Sequence, residues 1–133
     1  MDAFFTDDGD SYVPGTTTGG PWGQTMGGQI VGGLLGWALD RHSDDDLQPA
    51  RLTVDLLRPV SIAPVSIETS IQREGRRIKL VDAALLQNGQ VVARAQRALL
   101  AAQCRTRGSG VVCTCGYPAI AGQVWSARNR GAV

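Results

Sequence analysis

The sequence predicts an α+β domain in which a curled antiparallel sheet wraps around one central helix. One segment carries apolar residues at helical spacing, and four later segments alternate as strands do. The connections between those four segments are short, as antiparallel neighbours require. The chain has 133 residues, of which 43% are hydrophobic, so we expect a single core and a single domain.

The beginning of the chain is acidic and rich in turns. Phe4–Phe5 and Tyr12–Val13 are expected to form two short strands on either side of an Asp-Asp-Gly-Asp turn. No basic region of the kind that opens a secretory signal is present, and the longest apolar stretch, residues 30–39, is too short to span a bilayer. We therefore expect a cytoplasmic protein with no membrane partner.

The central helix is predicted over residues 26–42. Gly28, Gly32 and Gly36 lie four residues apart in it and form one bare stripe. Each interior glycine costs a helix about 1 kcal/mol relative to alanine, so something must offset the cost. We expect the stripe to let the backbone of the sheet approach the helix closely. The apolar residues at helical spacing are Ile30, Val31, Leu34, Leu35, Ala38 and Leu39.

The sheet is predicted from the four alternating segments and the breaks between them. The breaks are Pro59–Pro64, Glu74–Gly75 and Asn88–Gly89, and Asn-Gly between alternating segments is a strong hairpin signal. Short connections of this kind predict a four-stranded antiparallel meander. The expected strands are Arg51–Arg58, Val65–Arg73, Arg76–Gln87 and Val91–Leu100.

The last thirty residues differ from the rest. Residues 104–133 contain four Arg and no acidic residue, and they show neither helical nor strand periodicity. We therefore treat residues 1–103 as the domain and residues 104–133 as an atypical tail. Two interpretations of the tail stay open, namely disorder and an origin in a shifted reading frame.

Charge and metal-binding residue types exclude several functions. A net charge of +1 gives no reason to expect a nucleic-acid partner. His42 is the sole histidine, which argues against a Ser-His-Asp hydrolase. The three cysteines, Cys104, Cys113 and Cys115, are too few for a zinc site unless His42 joins them at an unusual spacing, so no metal is expected.

The order of the predicted elements resembles the hotdog fold, and five motifs resemble one family within it. In this order and spacing they resemble the N-terminal half of acyl-CoA thioesterase II proteins, which carry two hotdog units in one chain. The resemblance covers residues 3–101 and implies hydrolysis of fatty acyl-CoA to free acid and CoA, without a cofactor. The motifs are Gly20-Pro21-Trp22, Met26 to Gly32, Leu56 to Val60, Arg73 to Arg77 and Leu86 to Gly89.

Hydrolysis of a thioester needs hydrogen-bond donors for the oxyanion and a group that activates water. Gly27, Gly28 and Gln29 open the predicted helix, where backbone N–H groups have no partner within the helix. Gly28 and Gln29 are therefore candidate ligands of the thioester carbonyl, and Gly27 is a candidate contact to CoA. The alternative is that the glycines only permit a tight entry into the helix.

Asp55 and Asp82 are the candidate acids because each lies within a strand pattern and either could line a cleft. The alternative is structural pairing with a neighbouring arginine, from Arg58, Arg76, Arg77 or Arg94. Other polar residues have simpler expectations. Asp40 and the Asp44–Asp46 run are expected to be solvated, and His42 is expected to interact with the end of the helix.

Arg73, Arg76 and Arg77 flank the Glu74–Gly75 turn and are candidate ligands of the CoA phosphates, since guanidinium groups bind phosphate in a bidentate manner. The alternative is a solvated hairpin tip. A single hotdog sheet also has an open edge, so we expect a homodimer or a higher oligomer, with the cleft at the interface.

The motifs depart from single-hotdog thioesterases at two positions. Many of those proteins begin this helix with His-Gly-Gly and carry an acid about two turns later, where this chain has Met26 and then Leu35 or Gly36. A second hypothesis is therefore a catalytically silent acyl-CoA or acyl-carrier binder, or a half-enzyme that needs a partner unit. A dehydratase ranks last because His42 lies at the wrong end of the helix.

Overall fold

The structure is a computed structural model that describes residues 3–101, 106–107 and 110–111. The chain divides into two units, Met1–Ala102 and Gln103–Val133. In the second unit, Thr106–Arg107 pairs antiparallel with Gly110–Val111. The three cysteines lie outside the described residues. The two interpretations of the tail, disorder and a shifted reading frame, concern residues that are also mostly outside them. The elements of the first unit are β1 (Phe5–Asp7), β2 (Tyr12–Pro14), a 3-10 turn (Thr16–Thr18), α1 (Gly28–Asp40), β3 (Leu47–Leu56), β4 (Ser66–Glu74), β5 (Ile78–Gln87) and β6 (Gln90–Ala101).

The helix α1 is two residues shorter at each end than the periodicity predicted. Gly27 is extended, with φ −64° and ψ 139°, so it caps the helix instead of continuing it. At the other end the backbone N–H of Arg41 donates to Leu39 O and closes the last turn. One side of α1 is buried, comprising Val31, Leu34, Leu35, Ala38 and Leu39.

The sheet is antiparallel throughout, with the strand order β3-β6-β5-β4. The meander prediction is confirmed for β4, β5 and β6 and is wrong for β3, which pairs with β6 and lies at the opposite edge from β4. Moving between these edges requires crossing about 14 Å, and the segment 57–65 is long enough at about 3.3 Å per residue. The short connection between β3 and β4 therefore does not make these two strands neighbours in the sheet.

The crossing segment passes the start of α1. Leu57 and Arg58 both donate their N–H to Val92 O at 3.0 Å, so the chain first stays beside β6. The carbonyl of the buried Val60 then accepts from Met26 N at 2.8 Å. The segment thus reaches β4 by running next to the residues that lead into the helix.

The hairpins predicted at Glu74–Gly75 and Asn88–Gly89 are confirmed, because β4 pairs with β5 and β5 pairs with β6. Asn88 and Gly89 connect β5 to β6 with φ of 52° and 73°, the left-handed conformation that a two-residue hairpin turn requires. β1 and β2 pair as a small separate hairpin around Gly9, whose φ is 86°. Tyr12 in β2 also forms an antiparallel bridge to Val65, just before β4.

The core lies between α1 and one face of the sheet. On β5 and β6 the residues facing the helix are buried, and they include Val81, Leu85, Ala93 and Leu99. The alternate residues of β5 share the other face, as the sequence predicted, and are half-buried. We call the helix side the inner face and the other side the outer face.

The glycine stripe of α1 faces β3. A Cβ on Gly28 would lie 2.8 Å from Leu56 Cδ1, whereas Cβ atoms on Gly32 and Gly36 would make ordinary contacts of 3.9 and 3.7 Å with Val54 and Leu52. The sheet approaches the stripe, as predicted, but through side chains and not through backbone. Within the stripe, only at Gly28 would a Cβ require its neighbour, the end of the Leu56 side chain, to move. Among the described residues, no helix is both long enough and apolar enough to cross a bilayer.

Candidate active site at the start of the helix

The start of α1 is held in place by three main-chain hydrogen bonds to two neighbouring segments. Gly27 N donates to Thr18 O at 3.1 Å, and Thr18 is itself fully buried. Met26 N donates to Val60 O, and Gly20 N donates to Thr25 O, both at 2.8 Å. The position of the first helical turn is therefore fixed without any charged side chain.

Two backbone donors at this point have no acceptor in the part of the chain that the structure describes. Ile30 N and Val31 N both donate to Gly27 O, at 2.9 and 3.1 Å. The N–H groups of Gly28 and Gln29 have no such partner, and no side chain caps the helix. Both lie at the positive end of the helix dipole, where an oxyanion is stabilised.

The side chain of Gln29 adds a polar group to the same place. A Cβ on Gly27 would lie 2.9 Å from Gln29 Nε2 and 3.0 Å from Oε1, so the carboxamide folds back over Gly27. The half-exposed Leu56 borders Gly28 and gives the site an apolar side. The candidate thioester ligands Gly28 and Gln29 and the candidate CoA contact Gly27 thus lie together at the start of the helix.

The two candidate acids lie on the outer face of the sheet, away from the helix. Asp82 alternates with Val81 and Ala83, which are in the core, and Asp55 alternates with residues that contact the glycine stripe. Neither is therefore brought to the start of the helix. Neither forms an ion pair with an arginine among the described residues, so the expected structural pairing is also not observed.

Asp82 belongs instead to a chain of hydrogen bonds across the outer face. Arg51 Nη2 donates to Gln96 Oε1 at 2.8 Å, and Gln96 Nε2 donates to Asp82 Oδ1 at 2.9 Å. These residues line an open polar trough of about 510 Å³, together with Asp55, Glu68 and Arg94. The residues on this side thus carry both signs of charge, as a solvated sheet face does.

The candidate CoA ligands Arg73, Arg76 and Arg77 lie at the β4–β5 hairpin, near the other end of α1. Strand β5 runs from this hairpin to Gln87, and ten residues span about 30 Å. Within one copy of the chain, the structure does not bring these arginines to Gly27–Gln29. The two parts of the predicted site are therefore formed at opposite ends of the sheet.

The end of α1 is bound to the sheet by side chains. Asp40 Oδ1 accepts from Arg97 Nη1 at 2.7 Å and from Ser43 Oγ at 3.2 Å, so Asp40 is not simply solvated. The backbone N–H of His42 donates to Leu39 O, as expected of a residue at the helix end. Its ring Nε2 lies 2.9 Å from Thr69 Oγ1 on β4, a contact that the sequence did not indicate.

Lys79 is the charged residue that sequence analysis missed. Its Nζ lies 2.9 Å from Asp44 and 3.2 Å from Glu74, and its side chain is 6% exposed. The hydrogen bond to Asp44 is the main cause that raises the pKa of Lys79 above its ordinary value of 10.5, while burial opposes it. Asp44 is exposed, as expected, and in addition pairs with Lys79, which the sequence did not indicate. Alternation on β5 was the available signal, because it places Lys79 on the same face as Val81, Ala83 and Leu85.

In the part of the chain that the structure describes, one α-helix is wrapped by a curled antiparallel sheet, which is the architecture of a hotdog domain. The chain belongs to the acyl-CoA thioesterase N-terminal domain family, whose model matches residues 18–114. The comparison with curated proteins found no match. Family membership supports thioester hydrolase activity for this chain.

Solved structures show the same fold. A Ralstonia eutropha protein described as a thioesterase related to phenylacetic acid degradation is 22% identical, with TM-score 0.58 over 68% of this chain and 72% of that chain. A Thermobifida fusca protein described as a thioesterase II is 22% identical, with TM-score 0.59 over 81% and 41%. A Bacillus halodurans protein solved with CoA is 18% identical, with TM-score 0.57 over 68% of each. This chain therefore spans about two fifths of the thioesterase II protein's length.

Proposed function

We propose that this domain hydrolyses fatty acyl-CoA thioesters to free acid and CoA, with the reacting carbonyl at the start of α1. The observation that carries the proposal is the pair of unpaired N–H groups of Gly28 and Gln29. Donors fixed in position before the reaction stabilise a developing oxyanion more than the ground-state carbonyl. Membership of the acyl-CoA thioesterase family supports the substrate class.

In the proposed reaction the thioester oxygen accepts hydrogen bonds from the Gly28 and Gln29 backbone N–H groups. Water attacks the carbonyl carbon as its proton is transferred to a base, giving a tetrahedral oxyanion that Gln29 Nε2 also reaches. The oxyanion re-forms the carbonyl, the C–S bond breaks, and the CoA sulfur leaves as a thiolate that takes up a proton. The absence of a Cβ on Gly27 lets the thioester come close to the backbone.

Strand β3 supports our proposal of a homodimer or higher homo-oligomer. It is an edge strand, and its inner-face residues Leu52 and Leu56 are 51% and 53% exposed. Edge strands with exposed apolar side chains are prone to pair with another chain. Substitution of Leu52 by Arg is expected to shift the sedimentation velocity profile toward monomer, and an unchanged profile would place any interface elsewhere.

A dimer of this kind also gives the distant arginines a role. β3 runs antiparallel to α1, since Leu56 borders Gly28 and Leu52 borders Gly36. Two-fold pairing of β3 edges would place the helix start of one copy near the helix end of its partner. We propose that Arg73, Arg76 and Arg77 bind CoA phosphates in this way, across two copies.

Localisation in the cytoplasm stays a prediction from the sequence.

The alternative is a catalytically silent binder or a half-enzyme. The observation that favours it is the position of Asp55 and Asp82 on the outer face, which leaves the helix start without either candidate acid. A half-enzyme would obtain its water-activating group from a partner unit. The dehydratase hypothesis gains no support, because His42 contacts Thr69 near the other end of α1.

The test is release of free CoA from a panel of medium-chain and long-chain acyl-CoAs, followed by chromatography because the cysteines would react with a thiol reagent. Gln29→Ala is expected to lower kcat about tenfold or more with an unchanged Tm. Gln72→Ala is the matched control, since Gln72 is exposed on β4 near the hairpin. Binding of acyl-CoA without hydrolysis would establish the alternative, and hydrolysis insensitive to Gln29 would remove the helix start from the mechanism.

A further inference from the structure

Gln87 is a buried polar residue at the end of β5, on the inner face. Its Oε1 accepts from Ser61 N and from Ser61 Oγ, both at 3.0 Å. Its Nε2 donates to Ser61 O at 3.1 Å and to Ala63 O at 3.3 Å. A carboxamide offers two acceptor sites and two donors, so every hydrogen-bonding capacity of Gln87 is used on one short loop.

That loop is the crossing segment between β3 and β4, and it is bonded to the residues that precede the helix. Thr25 and Ser61 form an antiparallel bridge. Met26 N donates to Val60 O at 2.8 Å, and Ile62 N donates to Gln24 O at 3.4 Å. Gln87 therefore holds the loop, and the loop holds the segment that ends at the helix cap.

We propose that Gln87 is a positioning residue for the two backbone donors of the candidate active site. Removing its carboxamide would leave Ser61 N and Ala63 O without these partners in a partly buried place, while Ser61 O would keep its hydrogen bond from Ala63 N at 2.8 Å. Such groups recover partners by opening toward water, which would release Val60 from Met26. Gly28 and Gln29 follow Met26 by two and three residues, so their N–H groups would lose their fixed position.

The inference rests on the proposed function only for its kinetic part. A displacement of about 1 Å in a donor costs catalysis far more than it costs binding, because the donors matter most to the oxyanion. Loss of Gln87 is therefore expected to lower kcat and to leave KM nearly unchanged. A purely structural role in overall stability would not produce that separation once the variant is folded.

The first arm of the test is amide hydrogen exchange by NMR in Gln87→Met, which keeps the side chain's size. Exchange at the Met26 and Gly27 amides is expected to accelerate about tenfold or more, while the amide of Val81 in β5 is unchanged. Gln90→Met is the matched control, because Gln90 is the exposed register partner of Gln87 across the hairpin. Its side-chain contact among the described residues, 3.5 Å from Oε1 to Arg58 Nη1, involves an exposed side chain and not the main chain of the loop. Unchanged exchange at Met26 and Gly27, or an equal effect of the control, would overturn the proposal.

The second arm is hydrolysis of acyl-CoA by the same variants. We expect kcat to fall about tenfold in Gln87→Met with KM within about twofold of wild type, and no change in Gln90→Met. If Gln87→Met does not fold, Ser61→Ala takes its place, since it removes one of the four hydrogen bonds and should show a smaller change in the same direction. Accelerated exchange with an unchanged kcat would overturn the catalytic role. A wild-type protein without hydrolysis would refute the proposed function, while the exchange arm would still decide whether Gln87 positions the helix start.

Discussion

The two ends of α1 are held by different kinds of interaction. At the start, Met26 and Gly27 are fixed by main-chain hydrogen bonds, and no charged side chain takes part. At the end, the contacts are made by side chains, with Arg97 on Asp40 and Lys79 on both Asp44 and Glu74. The start therefore keeps donors free for a ligand, whereas at the end the charged groups already have partners.

This difference has a physical reason in the helix dipole. Asp40 at the negative end of the helix is disfavoured unless a cation lies nearby, and Arg97 supplies that cation at 2.7 Å. A carboxylate capping the positive end would be favourable, but it would place a negative charge at the helix start and could occupy the Gln29 donor. The glycine cap leaves those donors available and gives up some helix stability in return.

The largest expected effect tests the free donors directly. Gly28→Pro removes one N–H at the first helical position, where proline is well tolerated, and the extended Gly27 suits a residue that precedes proline. We expect kcat for acyl-CoA hydrolysis to fall about 10²–10³-fold while the Tm changes little. The measurement is steady-state kinetics beside thermal unfolding.

Gly28→Ala is the control for that variant. It introduces the same Cβ, 2.8 Å from Leu56 Cδ1, but keeps the N–H. Because the contacted atom is the end of a flexible and half-exposed side chain, Leu56 can move aside. We expect Gly28→Ala to lose much less activity than Gly28→Pro, and equal losses would show that space and not the donor matters at this position.

A smaller loss of activity is expected from Gly27→Ala. The new Cβ would lie within about 3 Å of the Gln29 carboxamide and would push it away from the helix start. We expect kcat to fall about tenfold if the carboxamide contributes a hydrogen bond to the oxyanion. Kinetics of the double variant Gly27→Ala with Gln29→Ala separates two causes. A loss no larger than that of Gln29→Ala alone would assign the effect to the carboxamide, and a larger loss would show that the new Cβ also blocks the approach of the thioester.

At the other end of the helix, the expected effect is on stability and depends on pH. The pKa of Lys79 is raised in the folded protein, so its ion pairs contribute fully below the ordinary value of 10.5 and are lost as the pH rises through the folded pKa. Lys79→Met is expected to lower the free energy of unfolding at pH 8. The difference from wild type should shrink at pH 11, as measured by urea denaturation.

Arg76→Met serves as the comparison for Lys79→Met. Arg76 is exposed at the hairpin tip and has no ion pair among the described residues, so its effect should be small and independent of pH. Neither variant should change the geometry of the donors at the helix start, because Lys79 and Arg76 lie near the other end of α1. A Lys79→Met difference that stays constant from pH 8 to pH 11 would contradict the assigned ion pairs.

The start of the helix could be predicted from the sequence far better than its end. Gly27, Gly28 and Gln29 are consecutive, so a correct helix prediction was sufficient to place them together. The contacts at the other end join residues far apart in the chain, such as Asp40 with Arg97 and Asp44 with Lys79. Such pairs depend on strand order and face, which periodicity alone does not determine.

The errors in the sheet have the same origin. The alternation of β5 correctly assigned Asp82 to one face, but not whether that face was inner or outer. Strand order was wrong for β3 because the length of the 57–65 segment allows both a hairpin-like return and a crossing. From the sequence, Gln87 could be recognised only as part of a motif. Its proposed positioning role depends on the contact between Gln87 and Ser61 of the crossing loop, which the sequence did not indicate.

The smallest expected effect concerns Gly33, a helical glycine away from both ends. A Cβ at this position would meet nothing within 4 Å. Gly33→Ala is therefore expected to raise the free energy of unfolding by about 0.5–1 kcal/mol through helix propensity alone, measured by urea denaturation at low protein concentration. Gly27→Ala should show no such gain because Gly27 lies outside the helix. A loss of stability that grows with protein concentration would instead show that a second copy covers this face of α1, and would extend the proposed homodimer interface from β3 onto the helix.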